Sequence, residues 1–144
     1  MVLSHGSVVI ITNQDFSLFY LEKKSNDYQF PQYRGAHSFF GGHEEPEDNS
    51  PEETLIRELF EELTEKSAKK VSESARPLVT TIVPSVIPYK LTLAEAILSD
   101  RALENLDHHN ANGDGLLIER KDILEIPYIW DLKPVMKKYL NSRL

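Results

Sequence analysis

Four glutamates, Glu58, Glu61, Glu62 and Glu65, stand at i, i+3, i+4 and i+7, a spacing that stacks them as one acidic ridge on a helix. Carboxylates so placed repel by about 0.2–0.5 kcal/mol per pair. A solvated helix surface carries such a ridge without any function. A hard divalent cation with oxygen ligands, Mg2+ or Mn2+, instead converts the repulsion into coordination. Two neighbours favour the second reading. Arg57 is the only basic residue of the helix before Lys66 and is spaced to reach Glu53 and Glu61, one turn away on either side. Upstream, Gly41-Gly42 lets backbone approach a ligand and bares a carbonyl that a side chain would shield.

The helix that must hold these groups has a legible start. Ser50 is a good N-cap, Pro51 loses nothing by lacking an N–H in the first turn, and Glu52 and Glu53 oppose the positive helix end. Leu55, Ile56, Leu59, Phe60 and Leu63 then recur at three- and four-residue spacing, which predicts a core face opposite the ridge.

The stretch from Ser38 to Glu65, SFFGGHEEPEDNSPEETLIRELFEELTE, resembles the signature of the Nudix hydrolases. Gly42 matches the leading glycine of that pattern, and Arg57-Glu58-Leu59-Phe60-Glu61-Glu62 matches its centre residue for residue. Three positions depart from it. Asp48 stands where the pattern has glutamate, the spacing from there to Arg57 is one residue longer, and Thr64-Glu65 replaces the closing glycine and apolar pair. The insertion falls in a loop and leaves the helix face intact. Thr64 removes the usual left-handed stop, so the helix is expected to run on toward Ser67.

The resemblance implies a site. Glu58, Glu61 and Glu62 would bind divalent metal, Mg2+ or Mn2+, with the Gly41 carbonyl as a further ligand and Glu58 also helping to activate water. Arg57 would orient the glutamates. Members often bring another acidic ligand from beyond the signature, and Glu95, Glu104, Asp114 and Glu119 are the candidates. The implied fold is α/β, an α/β/α sandwich around a mixed sheet, and the implied reaction is cleavage of the pyrophosphate bond of a nucleoside diphosphate linked to another group. The alternative is a Nudix-fold module that binds a nucleotide as a sensor without cleaving it, suggested by the three departures. The substrate within the class and the oligomeric state, a homodimer included, are left open.

The rest of the chain sets bounds. Its 144 residues are expected to form one domain, residues 1–144, with room for a core. A formal charge of −7 argues against a nucleic-acid polymer as partner but leaves a small nucleotide-type substrate whose charge a metal offsets. The absence of cysteine excludes disulfides, thiolate zinc sites and cysteine nucleophiles. With no long apolar span and no signal-like start, no membrane association and a cytoplasmic location are expected.

Val8-Val9-Ile10-Ile11 predicts a buried strand, paired as a hairpin with Phe16 to Leu21 across Asn13-Gln14-Asp15. Ser38-Phe39-Phe40 reads as a strand delivering the glycines. Arg34 reads as a surface residue able to meet a phosphate, His43 as a loop residue, and Tyr28, Phe30 and Tyr33 as packing aromatics able to stack on a base. Lys66 to Arg76 reads as a connection, Leu78 to Val83 as an edge strand between prolines, and Tyr89 to Leu98 as a strand on the family likeness. Asn110 to Gly115 imitates a calcium loop but lacks the first aspartate and has Lys121 at the twelfth position, so it is taken as a turn. His108-His109 lacks further zinc ligands. Leu116-Leu117-Ile118 closes the strands. Asp131 is expected to cap a last helix whose stripe is Leu132, Val135, Met136, Tyr139 and Leu140, with Trp130 packed beside it.

Overall fold

A computed structural model describes residues 3–109 and 113–143. Its centre is β1 (His5–Asn13), where Val8 and Ile10 face one side of the sheet and Val9 and Ile11 the other, all buried. A strand covered on both faces reads as a continuous apolar run, which is what the sequence has there. Along one edge β1 runs parallel to β6 (Tyr89–Leu98), from His5 opposite Lys90 to Asn13 opposite Leu98. β5 (Ala75–Val83) pairs antiparallel with β6 and ends the sheet, with an irregularity between Pro77 and Val79.

The other edge of β1 is shared. β2 (Leu18–Lys24) meets it only at Ile11 opposite Tyr20 and Thr12 opposite Phe19. Beyond that point β4 (Phe40–His43) takes over, from Val9 opposite Phe40 to Gly6 opposite His43. β2 continues against β3 (His37–Ser38) and β7 (Gly113–Glu119). This fork places the end of β2 and the two glycines of β4 on one cleft.

Helices α1 (Pro51–Glu62), α2 (Glu65–Ser74) and α3 (Asp100–Glu104) cover one face, burying Leu55, Leu59, Ala68, Val71 and Leu103 against Val9, Ile11 and Phe40. Helix α4 (Leu132–Ser142) covers the other, burying Met136, Tyr139 and Leu140 against Val8, Ile10, Phe19 and Leu21. The result is the expected α/β/α sandwich with a mixed sheet of seven strands.

Several local expectations change. α1 begins as predicted, with the Ser50 hydroxyl accepting from the Glu53 N–H at 3.1 Å. It ends at Glu62, because Leu63 turns extended (φ −111°, ψ 161°) and Thr64 opens α2 instead of prolonging α1. The segment read as a connection is therefore a helix, held by buried Ser67, Ala68 and Val71, and Glu65 leaves the ridge. Ile56 and Phe60 are 39% and 42% exposed, so the core face of α1 is narrower than its spacing suggested. Asp131 stands at the N-cap of α4 but makes no capping bond; its carboxylate accepts from the Ser85 hydroxyl at 2.6 Å. Of the turn expected from Asn110 to Gly115, the first three residues lie outside the described ones, and Gly113 already belongs to β7. No described helix is long and apolar enough to cross a membrane.

Candidate active site

The end of α1 meets β4 through one hydrogen bond, the Gly41 N–H donating to Glu62 Oε1 at 2.8 Å. Two features of Gly41 require glycine. Its φ is +134°, and a Cβ there would lie 2.1 Å from the Ser7 carbonyl oxygen. Gly42 is constrained differently, because the Glu58 carboxyl lies against it and a Cβ would sit 2.4 Å from Glu58 Cδ. The double glycine thus admits Glu58 and Glu62 to the backbone of β4.

Arg57 ties the preceding loop to this face. Its guanidinium donates twice to Asp48, Nε to Oδ1 at 3.1 Å and Nη2 to Oδ2 at 2.9 Å, and once to the His43 carbonyl at 2.9 Å. It also donates to Glu58 at 3.1 Å and Glu61 at 3.3 Å. Glu61 is thus within its reach as the spacing indicated, while Arg57 turns away from Glu53 toward the loop. Asp48 accepts from the Thr54 hydroxyl as well, at 2.9 Å. The bonds from Arg57 are the chief reason its carboxyl lies well below the usual range. The aspartate, one methylene shorter and one residue further from Arg57 than the signature glutamate, makes the fork-to-fork contact.

Glu58, Glu61 and Glu62 line one cleft of about 550 Å3 with Gly41, Gly42 and His43. Burial raises the carboxyl pKa of Glu58, with the charge of Glu61 adding to it. Burial also raises that of Glu62, with Glu22 as the next contributor, while the Gly41 N–H opposes. The same cleft is lined by Lys24, Tyr28, Phe30 and Trp130. Phe30 and Tyr33 pack on the Trp130 ring, with centroids 5.1 and 4.8 Å away. Arg34 does not line it; this exposed side chain donates to the Tyr28 carbonyl at 2.9 Å.

Sequence reasoning passed over Lys24 and Glu22 and weighed His108 only as a zinc ligand. Lys24 is the only lysine or arginine lining the cleft among the described residues. It pairs with Glu22, whose other oxygen accepts from His108 Nε2 at 2.8 Å. Burial works to raise Glu22, but His108 and Lys24 outweigh it and hold its pKa below the ordinary value. Burial likewise works to lower Lys24, and Glu22 outweighs it, so the lysine stays cationic. The available signal was a glutamate and a lysine two apart at the end of an apolar strand, hence on one face.

None of the four candidates for a further acidic ligand lines the cleft. Glu95 is fully buried against α4, accepting from Tyr139 Oη at 2.5 Å and from Arg143 Nε and Nη2 at 2.8 Å each. Glu104, Asp114 and Glu119 are exposed. Among the described residues no three His, Asp or Glu side chains stand gathered in metal-holding geometry, and Arg57 engages both Glu58 and Glu61. The donor chemistry of the cleft nevertheless suits a hard cation. It offers carboxylate oxygens, and burial, the chief cause of the raised pKa values of Glu58 and Glu62, leaves those two poorly solvated.

No curated protein is similar enough in sequence to count as a match. Among solved structures, the NUDIX domain of Shewanella oneidensis NrtR, complexed with ADP ribose, superposes with a TM-score of 0.73 at 18% identity, over 100% of this chain and 90% of that one. A mutT/nudix family protein from Listeria innocua gives 0.67 at 19%, over 96% and 92%. A bifunctional NMN adenylyltransferase/ADP ribose pyrophosphatase from Francisella tularensis, complexed with AMP and a Mn ion, gives 0.73 at 14%, over 99% of this chain and 42% of that one. These likenesses establish a shared fold. The model of the NUDIX domain family matches residues 4–83, more than half of the sequence and the part that carries the double glycine, Arg57 and the three glutamates, so the chain belongs to that family.

Proposed function

We propose that the protein is a divalent-metal-dependent hydrolase that cleaves the pyrophosphate bond of a nucleoside diphosphate linked to another group. The observation that carries this reading is the meeting of Glu58, Glu61 and Glu62 with Gly41 in one cleft that Lys24 and aromatic rings also line. Glu58, Glu61, Glu62 and the Gly41 carbonyl would hold Mg2+ or Mn2+, which when bound offsets phosphate charge and lowers the pKa of water. Lys24, kept cationic by Glu22, faces the substrate's phosphates, where a fixed positive charge stabilises the charge that builds up on bond cleavage. Burial makes Glu58 a stronger base than an exposed carboxylate, which suits it to accept a proton from water. Phe30 and Trp130 offer ring surface to a base. The ADP ribose and AMP bound by two structural neighbours support a nucleotide-type ligand.

The test is a screen of nucleoside diphosphate conjugates with Mg2+ or Mn2+, the products identified by mass. Two phosphorylated products are expected, and Glu62→Gln should nearly abolish their formation while the protein stays folded. Wild-type turnover in that variant would refute the assignment. A second reading, a sensor that binds nucleotide without cleaving it, is favoured by the engagement of Glu58 and Glu61 with Arg57. Calorimetric nucleotide binding with no product over hours, metal present, would select it.

A further inference from the structure

Lys66, Lys69 and Lys70 on α2 and Arg101 on α3 line a single concavity of about 490 Å3 that shares no lining residue with the cleft. Among the described residues none of the four has a carboxylate oxygen within 4.0 Å. Partners were within sequence reach. Glu65 and Glu73 stand four residues before and after Lys69, the spacing of helix ion pairs, yet neither closes on it. Asp100, at the start of α3, is engaged by the Asn13 amide at 2.9 Å. Glu73 is the one acid in the lining. The three lysines stand at i, i+3 and i+4, where like charges repel, and no carboxylate among the described residues closes on them within 4.0 Å. The Ser99 hydroxyl, which accepts from the Ala102 N–H at 3.1 Å, keeps its own proton to donate at the rim.

This concentration of positive charge sits in a chain of net charge −7. A long polyanion reaching more than about 10 Å past the pocket would leave its field and meet the acidic remainder. A compact anion would not. The volume falls within the roughly 300–1,000 Å3 of small-molecule sites. We propose that the α2–α3 concavity is a second anion site, outside the cleft, that binds a compact polyphosphate, inorganic or carried on a nucleotide. Lys66, Lys69, Lys70 and Arg101 neutralise the phosphates, and Ser99 and Asn105 supply neutral donors.

The experiment is an amide NMR titration of the full chain in metal-free, EDTA-containing buffer, with tripolyphosphate in one arm and ATP in the other. Saturable shifts are expected at Ser67, Ala102 and Asn105, with affinity falling as salt rises. Lys66→Glu with Arg101→Glu should weaken binding by about tenfold or more, the equivalent of ~1.4 kcal/mol, while Lys24→Ala leaves these shifts in place. Equal affinities in the two arms assign recognition to the phosphate chain alone, and tighter ATP binding adds the nucleoside to the same site. Should the double variant unfold, Lys70→Gln replaces it and should show a smaller loss. Shifts confined to the cleft, unchanged affinity in the substituted proteins, or tighter binding of a single-stranded oligonucleotide would overturn the proposal.

Discussion

Gly42→Ala separates the chemistry of the site from its stability. Gly42 is a strand residue with no left-handed φ, so alanine meets no backbone penalty there. What it meets is Glu58, with the new Cβ 2.4 Å from Cδ and 2.6 and 2.7 Å from the two carboxylate oxygens. Ordinary contact begins near 3.4 Å, so the carboxyl must retreat by about 1 Å. Its side chain is 17% exposed and its carboxylate is held by Arg57 at 3.1 Å, so it can swing outward without moving the helix if that contact loosens. The stability cost is then that of loosening a partly exposed Arg57–Glu58 contact, about 0.2–1 kcal/mol. The catalytic cost is larger, since a displacement of ~1 Å at a reacting group can reduce rate about 100-fold. Urea denaturation and turnover of a nucleoside diphosphate conjugate, measured on the same preparation, give both numbers. An alanine variant that folds and turns over like the wild type would show that Glu58 does not act from this position, and one that unfolds would show that the clash is not relieved by the side chain.

Gly41→Ala should behave oppositely. Its Cβ meets the backbone of Ser7 and Val8 and its φ is +134°, so a loss of more than ~4 kcal/mol is expected in denaturation. Tyr139→Phe removes a hydrogen bond to buried Glu95 and should cost about 1.5–3 kcal/mol. It should leave metal affinity unchanged by calorimetry; a loss of affinity would return Glu95 to the site. For pH, Glu58 and Glu62 are raised in the folded state above the ordinary 4.5. Groups shifted in that direction contribute stability that is fully present below the ordinary value and is lost as pH rises through the raised ones. Melting of metal-free protein should therefore fall across that window, and Glu62→Gln should flatten the slope. A slope that survives the substitution would assign it to other groups.

What could be read from the sequence follows the strength of local signals. The buried apolar run of β1, the Ser50-Pro51 start of α1 and the approach of β4 to Gly41-Gly42 are fixed by neighbouring residues and were legible. α2 was not, because its core contribution is Ser67, Ala68 and Val71, too small and too few to stand out among lysines. The exposure of Ile56 and Phe60 is set by which part of the apolar stripe of α1 meets the sheet, which no helical period records. Asp48 looked like a weakness in the signature until the fold brought its carboxylate onto Arg57. The Glu22–His108 pair joins residues 86 positions apart, brought together where the loop after α3 docks on residues 62–64, the Thr64 N–H donating to the Asp107 carbonyl and the His109 N–H to the Glu62 carbonyl.

The three glutamates either hold a cation or do not, and this can be measured directly. Free Mn2+ measured by electron paramagnetic resonance during titration of the wild type, Glu58→Gln and Glu62→Gln answers this without a substrate. Saturable binding by the wild type that weakens at least about tenfold in each variant, or ~1.4 kcal/mol, is the expected result. Equal Mn2+ affinity in all three proteins would contradict it.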